Sequence, residues 1–265
     1  MNGKPESPAA RDGQPDIALR HGRKVVVVMP ARNAGRTLER TVEAIPRDWV
    51  DEVVLVDDSS TDDTVRLART LPLHVIWHPH NVGYGGNQKT CYLHALQVDA
   101  DVVVMLHPDG QYEPTLIPRL VEPILRGEAD MVLGSRLAEP GAARAGGMPL
   151  YKYVANRALT AVENAVLGTD LSEMHTGYRA YSRELLMSIP FLRNSLGFSF
   201  DSEVLFQTVH FGFRIAEVPA RSRYFDDASS IGFRPAAVYG LKTLAALGRL
   251  ALHRRRIWRS RRFTP

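Results

Sequence analysis

The chain has 265 residues, of which 45% are hydrophobic and 23% charged, so it can bury a substantial core and is not disordered as a whole. Its single cysteine, Cys91, excludes an intrachain disulfide and a cysteine-based metal site, and favours a reducing compartment such as the cytoplasm. Seven of the 33 basic residues lie between Arg249 and Arg262, where no acidic residue occurs, and the other 26 stand against 29 acidic residues. The basicity therefore belongs to the C-terminal end, and the rest of the chain has a net charge of −3.

Apolar runs and turn residues predict the order of the elements along the chain. Residues 1–23 are rich in proline, glycine and charge, without the apolar segment of a signal peptide, and predict a disordered leader. A valine-rich run at 24–29 predicts a buried strand that Pro30 breaks, followed by a helix from Thr37, its N-cap, to about Ile45. Further strands are predicted at 52–56, 74–77, 101–106, 131–134 and 214–218, and further helices at 87–96, 151–166 and 201–211.

Strands that alternate with helices predict a single α/β domain, at residues 24–235, with a Rossmann-like and mainly parallel sheet flanked by helices. Ligands bind to such sheets beyond the carboxyl ends of the strands. The polar motifs of this sequence fall at those ends or open the next helix. They are residues 30–33, 57–58, 81–87, 107–111 and 135–136.

The motif after the fourth predicted strand is the strongest candidate for a metal site. It places His107 and Asp109 one residue apart in an open loop. A Mg²⁺ or Mn²⁺ ion that bridges a diphosphate needs few protein ligands, because phosphate oxygens and water supply the rest, and imidazole is acceptable to Mn²⁺. A plain turn over Pro108-Asp109-Gly110 is the alternative.

Two further motifs each have a binding and a structural interpretation. Asp57 and Asp58 end a buried strand, where a carboxylate is costly unless it binds a ligand or caps the helix predicted to begin near Thr61. One of them can cap while the other accepts a hydrogen bond from a nucleobase. The glycine-rich segment 81–89 opens a helix and either brings Lys89 near a phosphate or forms a plain tight turn.

In this order the motifs resemble family 2 glycosyltransferases, and most of all the polyprenyl-phosphate branch that includes dolichol-phosphate mannose synthase. The resemblance covers about residues 24–240. It rests on Pro30-Ala31-Arg32-Asn33, Val56-Asp57-Asp58-Ser59-Ser60, Asn81-Val82-Gly83, His107-Pro108-Asp109-Gly110-Gln111, Gly134-Ser135-Arg136, Thr176-Gly177-Tyr178-Arg179 and Phe200-Asp201-Ser202-Glu203.

The resemblance implies a GT-A fold in which residues 30–32 and Asp58 hold the base and ribose of the nucleotide. Asp109 matches the metal-binding carboxylate of the family's aspartate-x-aspartate motif, and Gln111 matches a glutamine that often follows it. His107 stands where the first aspartate is usual, so it is a metal ligand, a ribose contact or neither.

Three residues correspond to catalytic or acceptor-side positions of the family. Arg136 matches an arginine that faces the phosphates or the acceptor, and Arg223 matches another acceptor-side arginine. Glu173 occupies the place of an acidic residue in relatives and is the candidate general base, with a surface loop acid as the alternative. A hydroxyl acceptor needs such a base, whereas a phosphate acceptor is already an anion.

Residues 236–265 are predicted to form an amphipathic basic helix and tail. Its apolar residues recur at helical spacing and lead into the arginine cluster; they are Val238, Leu241, Leu244, Leu247 and Leu250. Such a helix suits an anionic membrane surface, which predicts a peripheral enzyme on the inner face of the cell membrane. The alternative is a helix docked on the domain with a solvated charged end.

The sequence thus predicts an inverting glycosyltransferase that moves a sugar from a UDP- or GDP-sugar to a polyprenyl phosphate or another lipid-linked acceptor. A nucleotidyltransferase on a similar fold is one alternative, although it should carry a glycine-rich signature where Pro30-Ala31-Arg32-Asn33 stands. A nucleic-acid-binding protein that uses the arginine-rich end is the other, and charge alone supports it.

Overall fold

The computed structural model describes residues 16–221 and 233–264. The strands in this part of the chain are β1 Val25–Ala31, β2 Glu52–Asp57, β3 His74–Trp77, β4 Val102–Met105, β5 Met131–Ser135, β6 Arg179–Ser182 and β7 Ile215–Pro219. They form one sheet in the order β3-β2-β1-β4-β6-β5-β7, and among them only β6 runs antiparallel to its neighbours. The predicted single α/β domain with a mainly parallel sheet is confirmed.

Helices cover both faces of the sheet. In the described ranges they are α1 Leu38–Glu43, α2 Thr64–Ala68, α3 Tyr84–Gln97, α4 Ile117–Leu125, α5 Ala142–Ala145, α6 Leu150–Leu167, α7 Arg183–Ser188, α8 Phe200–His210 and α9 Phe233–Arg254. Because strand side chains alternate, Val25 and Val27 pack with α1, α2 and α4, whereas Val26 and Val28 pack with α3, α7, α8 and α9. Burying each valine contributes about 1.5–3 kcal/mol, so the wholly buried β1 is a main source of stability.

The first strand and the first two helices differ from the predicted ones at their ends. Pro30 lies inside β1 instead of ending it, since β4 has already ended at this level and β1 pairs there with β2 alone. Thr37 is the N-cap residue of α1, but its hydroxyl donates to the carbonyl of Pro108 and caps no helix N–H. Helix α2 begins at Thr64, later than predicted, and the Asp62 carboxylate accepts the Thr64 N–H at 3.0 Å.

Strand β6 is not predicted from the sequence, because its four residues contain no apolar run. It is held in place by Arg179, a fully buried arginine that donates to the carbonyls of Met174, Thr176 and Asp201. Because β6 is antiparallel, its first residue lies level with Met105 at the end of β4. The segment before β6 therefore reaches the same edge of the sheet as the segments that follow the parallel strands.

Both ends of the described chain pack on the domain. Of the predicted leader, residues 1–15 lie outside the described residues, and Ile17–Arg20 forms a 3₁₀-helix whose Arg20 pairs with Asp51. At the other end, Leu250 of α9 is fully buried in the core of the domain, so the second half of this helix packs against it.

The arginine-rich end folds back over α8. Arg262 forms an ion pair with the buried Glu203, and the neighbouring Phe263 is buried as well. The second half of α9 is therefore docked, as in the alternative interpretation of this segment, while Arg255 and Arg256 remain exposed. Among the described helices, none combines the length and the apolar character that crossing a bilayer requires.

Candidate active site

The carboxylates at the end of β2 hold loops together at the carboxyl edge of the sheet. Asp57 is fully buried and accepts the N–H and the hydroxyl of Ser60. Asp58 is 3% exposed and accepts the N–H groups of Val82 and Gly83 at 2.8 and 3.2 Å. Both carboxylates therefore cap turns rather than α2, and Asp58 fixes the start of α3.

Replacing Asp58 with asparagine should lower the affinity for UDP or GDP by about 1–3 kcal/mol, the usual contribution of a hydrogen bond to a charged group. The amide oxygen can accept one of the two backbone N–H groups, but the NH₂ group would face the other, so the start of α3 should shift. Titration calorimetry measures the affinity and thermal melting the stability. Lower stability with an unchanged dissociation constant would restrict Asp58 to the capping role.

The segment that follows β1 lies against this loop. The carbonyl of Ala31 accepts the N–H of Asp58 at 2.8 Å. Asn33, with a left-handed φ of 54°, exchanges hydrogen bonds with the turn that follows β2. The Arg32 side chain is exposed at this edge. The structure thus brings the two predicted nucleotide-binding segments together.

The glycines at the start of α3 allow close packing. A Cβ at Gly83 or Gly85 would lie 2.6 or 2.4 Å from backbone carbonyl oxygens of residues 195–196, so both positions need glycine. The Lys89 ammonium donates to carbonyl oxygens of residues 192–194 at 3.1 and 2.5 Å. The ammonium thus stabilises the turn after α7, and the phosphate contact of Lys89 stays a prediction.

The loop after β4 presents the candidate metal ligands. Asp109 Oδ1 accepts the N–H of Gln111 at 3.0 Å, which orients the carboxylate. His107 is half-buried, and its Nε2 lies 3.2 Å from the hydroxyl of Tyr84. No group of three histidine, cysteine, aspartate or glutamate side chains forms a complete metal site in the described part of the chain. One carboxylate and one imidazole do fit a Mn²⁺ ion that a diphosphate also holds, and the carboxylate fits Mg²⁺.

Glu173 lies in a buried ion pair. Its carboxylate is fully buried and accepts the backbone N–H of Arg136 at 2.7 Å, the guanidinium of the same residue, and the Asn156 amide at 2.8 Å. Burial alone would raise the pKa of Glu173, but the charge and hydrogen bonds of Arg136 outweigh it and hold that pKa below its ordinary value. These contacts position Glu173 to hold Arg136, and the general-base role stays a prediction.

Arg136 and Lys152 bring two positive charges to the site. The Arg136 side chain is 11% exposed and also donates to the carbonyl of His175 at 3.1 Å. Burial lowers the pKa of Lys152, and the nearby Arg136 charge lowers it further. Neighbouring cations of this kind suit an anionic ligand. Sequence reasoning missed Lys152 because it lies on α6 outside any motif, and the predicted Arg223 lies outside the described residues.

An apolar cavity of about 650 Å³ opens beside these cations, between α6 and α9. Its polar lining includes Gln111, Arg136 and Lys152. Most of its wall is apolar and includes Ala155, Leu159, Val162, Ala237 and Leu244. The sequence carries no signal for this cavity, because it arises from contact between two helices that are distant along the chain.

His175 connects the site to both helices of the cavity. Its Nε2 lies 3.0 Å from the carboxylate of Glu163 on α6, and its Nδ1 lies 2.8 Å from the hydroxyl of Tyr239 on α9. The same hydroxyl lies 3.0 Å from Ser202 on α8. Because α9 contacts the segment before β6 directly, the cavity wall and the site form one connected unit.

The Rossmann-like sheet, with polar loops at its carboxyl edge and Asp109 in the loop after β4, is typical of the GT-A class of glycosyltransferases. The chain belongs to glycosyl transferase family 2, whose model matches residues 26–189. An undecaprenyl-phosphate mannosyltransferase of Micrococcus luteus is 31% identical over 204 residues, which cover 74% of this chain and 82% of that protein. A UDP-N-acetylglucosamine–dolichyl-phosphate N-acetylglucosaminyltransferase of Methanococcus voltae is 25% identical over 78% of this chain and 89% of its own length.

A solved structure shows the same fold. Glucosyl-3-phosphoglycerate synthase of Mycobacterium tuberculosis, in complex with Mn²⁺, UDP-glucose and phosphoglyceric acid, matches with a TM-score of 0.66 and 25% identity. The match covers 88% of this chain and 82% of that one. The predicted family, GT-A fold and glycosyltransferase activity are confirmed. Family membership also decides against the nucleotidyltransferase alternative.

Proposed function

We propose that the protein transfers a hexose from a UDP- or GDP-sugar, with inversion, to a polyprenyl phosphate, and that it uses Mg²⁺ or Mn²⁺. The apolar cavity between α6 and α9, whose lining includes Arg136 and Lys152, carries this proposal. A polyprenyl phosphate combines a long hydrocarbon chain with an anionic head group, which matches such a lining. The names of two relatives, which specify undecaprenyl phosphate and dolichyl phosphate, support the same class of acceptor.

The contacts of Glu173 support a phosphate acceptor over a hydroxyl acceptor. A hydroxyl must lose its proton to a base as the glycosidic bond forms, whereas a phosphate oxygen attacks as an anion. Glu173 cannot take up that proton without weakening its ion pair with Arg136. The guanidinium that it holds, together with Lys152, supplies the positive charge that favours a phosphate.

In the proposed reaction a phosphate oxygen of the acceptor bonds to the anomeric carbon, while the bond from that carbon to the diphosphate oxygen breaks. A bound divalent ion would offset the negative charge that develops on the departing diphosphate. Asp109 and His107 would hold that ion, and Asp58 with residues 30–32 would bind the nucleotide. Arg136 orients the acceptor phosphate and offsets its charge.

The outer faces of α6 and α9 support a location at a membrane surface. Both helices carry large apolar side chains that are exposed, namely Leu150, Tyr151, Val154, Val162, Val166, Val238, Leu241, Leu244 and Leu252. The same two helices line the cavity, so a lipid could reach it directly from a bilayer. The exposed Arg255, Arg256 and Arg259 would face anionic head groups, on the cytoplasmic side of the membrane.

The direct test is sugar transfer in detergent, with Mn²⁺, from labelled UDP- and GDP-sugars to undecaprenyl phosphate. A parallel reaction offers 3-phosphoglycerate as a soluble acceptor. We expect an organic-extractable, lipid-linked sugar and no transfer to the soluble acceptor. Transfer to 3-phosphoglycerate alone would overturn the proposed acceptor.

Combining Leu241→Gln with Val154→Gln should release the protein from phosphatidylglycerol vesicles without loss of nucleotide-sugar hydrolysis in solution. The two side chains are 68% and 56% exposed, and each contributes about 1.5–3 kcal/mol when buried, so vesicle binding should weaken more than tenfold. Co-sedimentation measures the binding. Met187→Gln, at an exposed position on α7, is the matched control and should stay bound.

Point variants are preferable to truncation of the C-terminal segment, because truncation would also remove the buried Leu250 and Phe263. Wild-type protein that remains in the supernatant at low salt would contradict the membrane location.

A further inference from the structure

A chain of hydrogen bonds connects the start of α8 with the loop after β4. The Tyr84 hydroxyl donates to Asp201 Oδ2 at 2.6 Å and lies 3.2 Å from Nε2 of His107. The rings of Tyr84 and His107 are also stacked, with centroids 5.6 Å apart and planes inclined by 13°. Gly177 makes room for this arrangement, because a Cβ there would lie 2.9 Å from the imidazole.

Neighbouring groups hold the members of this chain in place. Asp201 lies in the first turn of α8, and its carbonyl accepts from the buried Arg179 at 2.8 Å. The Tyr84 ring also contacts Phe198, with centroids 4.8 Å apart. The contact between Tyr84 and His107 therefore has a defined geometry before any ligand binds.

The single proton of the Tyr84 hydroxyl determines which nitrogen of His107 carries hydrogen. A carboxylate only accepts hydrogen bonds, so the Tyr84 hydroxyl donates its proton to the hydrogen bond with Asp201. The Tyr84 oxygen can then only accept from His107, and Nε2 must be the protonated nitrogen. Nδ1 keeps its lone pair and has no hydrogen-bond partner among the described residues.

We propose that Asp201 and Tyr84 are positioning residues that hold His107 as the Nε2–H tautomer and so keep the Nδ1 lone pair available to a divalent cation. Histidine ligands of metals usually donate their other N–H to a carboxylate or carbonyl, and loss of that partner costs about 10–100-fold in metal affinity. In this protein the carboxylate acts through a tyrosine. The inference rests on the divalent-cation part of the proposed function and does not depend on the acceptor.

The tautomer can be measured on the metal-free protein. Long-range ¹H–¹⁵N correlation spectra of histidine-labelled protein distinguish the two neutral tautomers, and His107→Gln identifies the signals of this residue. We expect the Nε2–H tautomer in the wild type. Tyr84→Phe should yield a mixture, and Asp201→Asn should increase the Nδ1–H form, because an amide NH₂ can donate to the Tyr84 oxygen and turn its proton towards His107.

Binding of Mn²⁺ in the presence of UDP or GDP, followed by electron paramagnetic resonance, is the second measurement. Tyr84→Phe should weaken it about 10-fold or more. Tyr92→Phe is the matched control, because Tyr92 lies on the same helix and its hydroxyl also donates to a side chain, that of Gln88, at 2.9 Å. This control should change neither the tautomer nor the Mn²⁺ affinity.

Three results would overturn the inference. They are an Nδ1–H tautomer in the wild type, an unchanged tautomer in Tyr84→Phe, and a changed tautomer with unchanged Mn²⁺ affinity. A purely structural role would lower the melting temperature of Tyr84→Phe without altering either measurement. Failure of transfer to polyprenyl phosphate, with the tautomer as expected, would count against the proposed acceptor alone.

Discussion

Replacing Asp109 with asparagine should reduce sugar transfer at least about 100-fold and leave the melting temperature unchanged. The asparagine oxygen can still accept the N–H of Gln111, so the turn after β4 keeps this hydrogen bond while the negative charge is lost. A metal ion contributes several kcal/mol of transition-state stabilisation, and each 1.4 kcal/mol is a factor of ten in rate. The measurements are steady-state transfer with increasing Mn²⁺ and thermal melting in its absence.

Asp63→Asn provides the control for this variant. Asp63 is an exposed carboxylate in the loop after β2, where it pairs with Arg66, so its loss removes a surface charge without touching the loop after β4. It should transfer sugar at the wild-type rate. Full activity of Asp109→Asn, or wild-type activity that EDTA does not diminish, would show that Asp109 holds no metal.

Replacing Glu173 with glutamine should destabilise the fold by about 3–5 kcal/mol as well as lower activity, because it removes the carboxylate charge that pairs with a largely buried guanidinium. For a domain of this size we expect the melting temperature to fall by roughly 10 °C. A residue that served only as a general base would reduce the rate at nearly constant stability. Differential scanning calorimetry, combined with transfer assays at a temperature where both proteins are folded, separates the two roles.

The pH dependence of stability offers an independent check on Glu173. Its pKa is lower in the folded protein than its ordinary value, so the ion pair stabilises the fold fully above that ordinary value. The stabilisation is lost as the pH falls through the lowered pKa. In acid, the wild type should therefore be no more stable than Glu173→Gln. A double variant, Arg136→Met with Glu173→Met, should recover part of the stability but none of the activity. An unchanged difference in melting temperature between pH 7 and pH 3 would contradict the ion-pair role.

The strands could be predicted from sequence where burial on both faces leaves an unbroken apolar run, as in β1, β2 and β4. Prediction failed where the environment, not the local sequence, decides the structure. Strand β6 begins with Arg179, and only the backbone carbonyls that surround its guanidinium make it compatible with a buried strand. Pro30 is tolerated in β1 because the neighbouring strand has already ended.

In the candidate site, too, some features follow from the local sequence and others only from the environment in the fold. Short motifs at strand ends identified Asp58, Asp109 and Arg136, because their position relative to the sheet follows from chain order. Their partners come from distant segments, so the buried pairing of Glu173 could not be read from the sequence. Lys152 lies in no motif, and its relevance appears only when α6 packs beside the sheet edge.

The reversed direction of β6 has a consequence for how acceptor preference can diverge. The chain leaves the sheet after Ser135 and re-enters it at Arg179, and both points lie at the same edge. The excursion between them, which contains α5 and α6, begins and ends at the same edge. A crossover between parallel strands must instead return the chain to the opposite edge, which limits its length and composition. The proposed nucleotide-binding residues lie in the parallel half, whereas α6 in this excursion and α9 form the wall of the cavity. Exchange of one peripheral insert could thus give a new acceptor preference while the nucleotide-binding half is inherited unchanged.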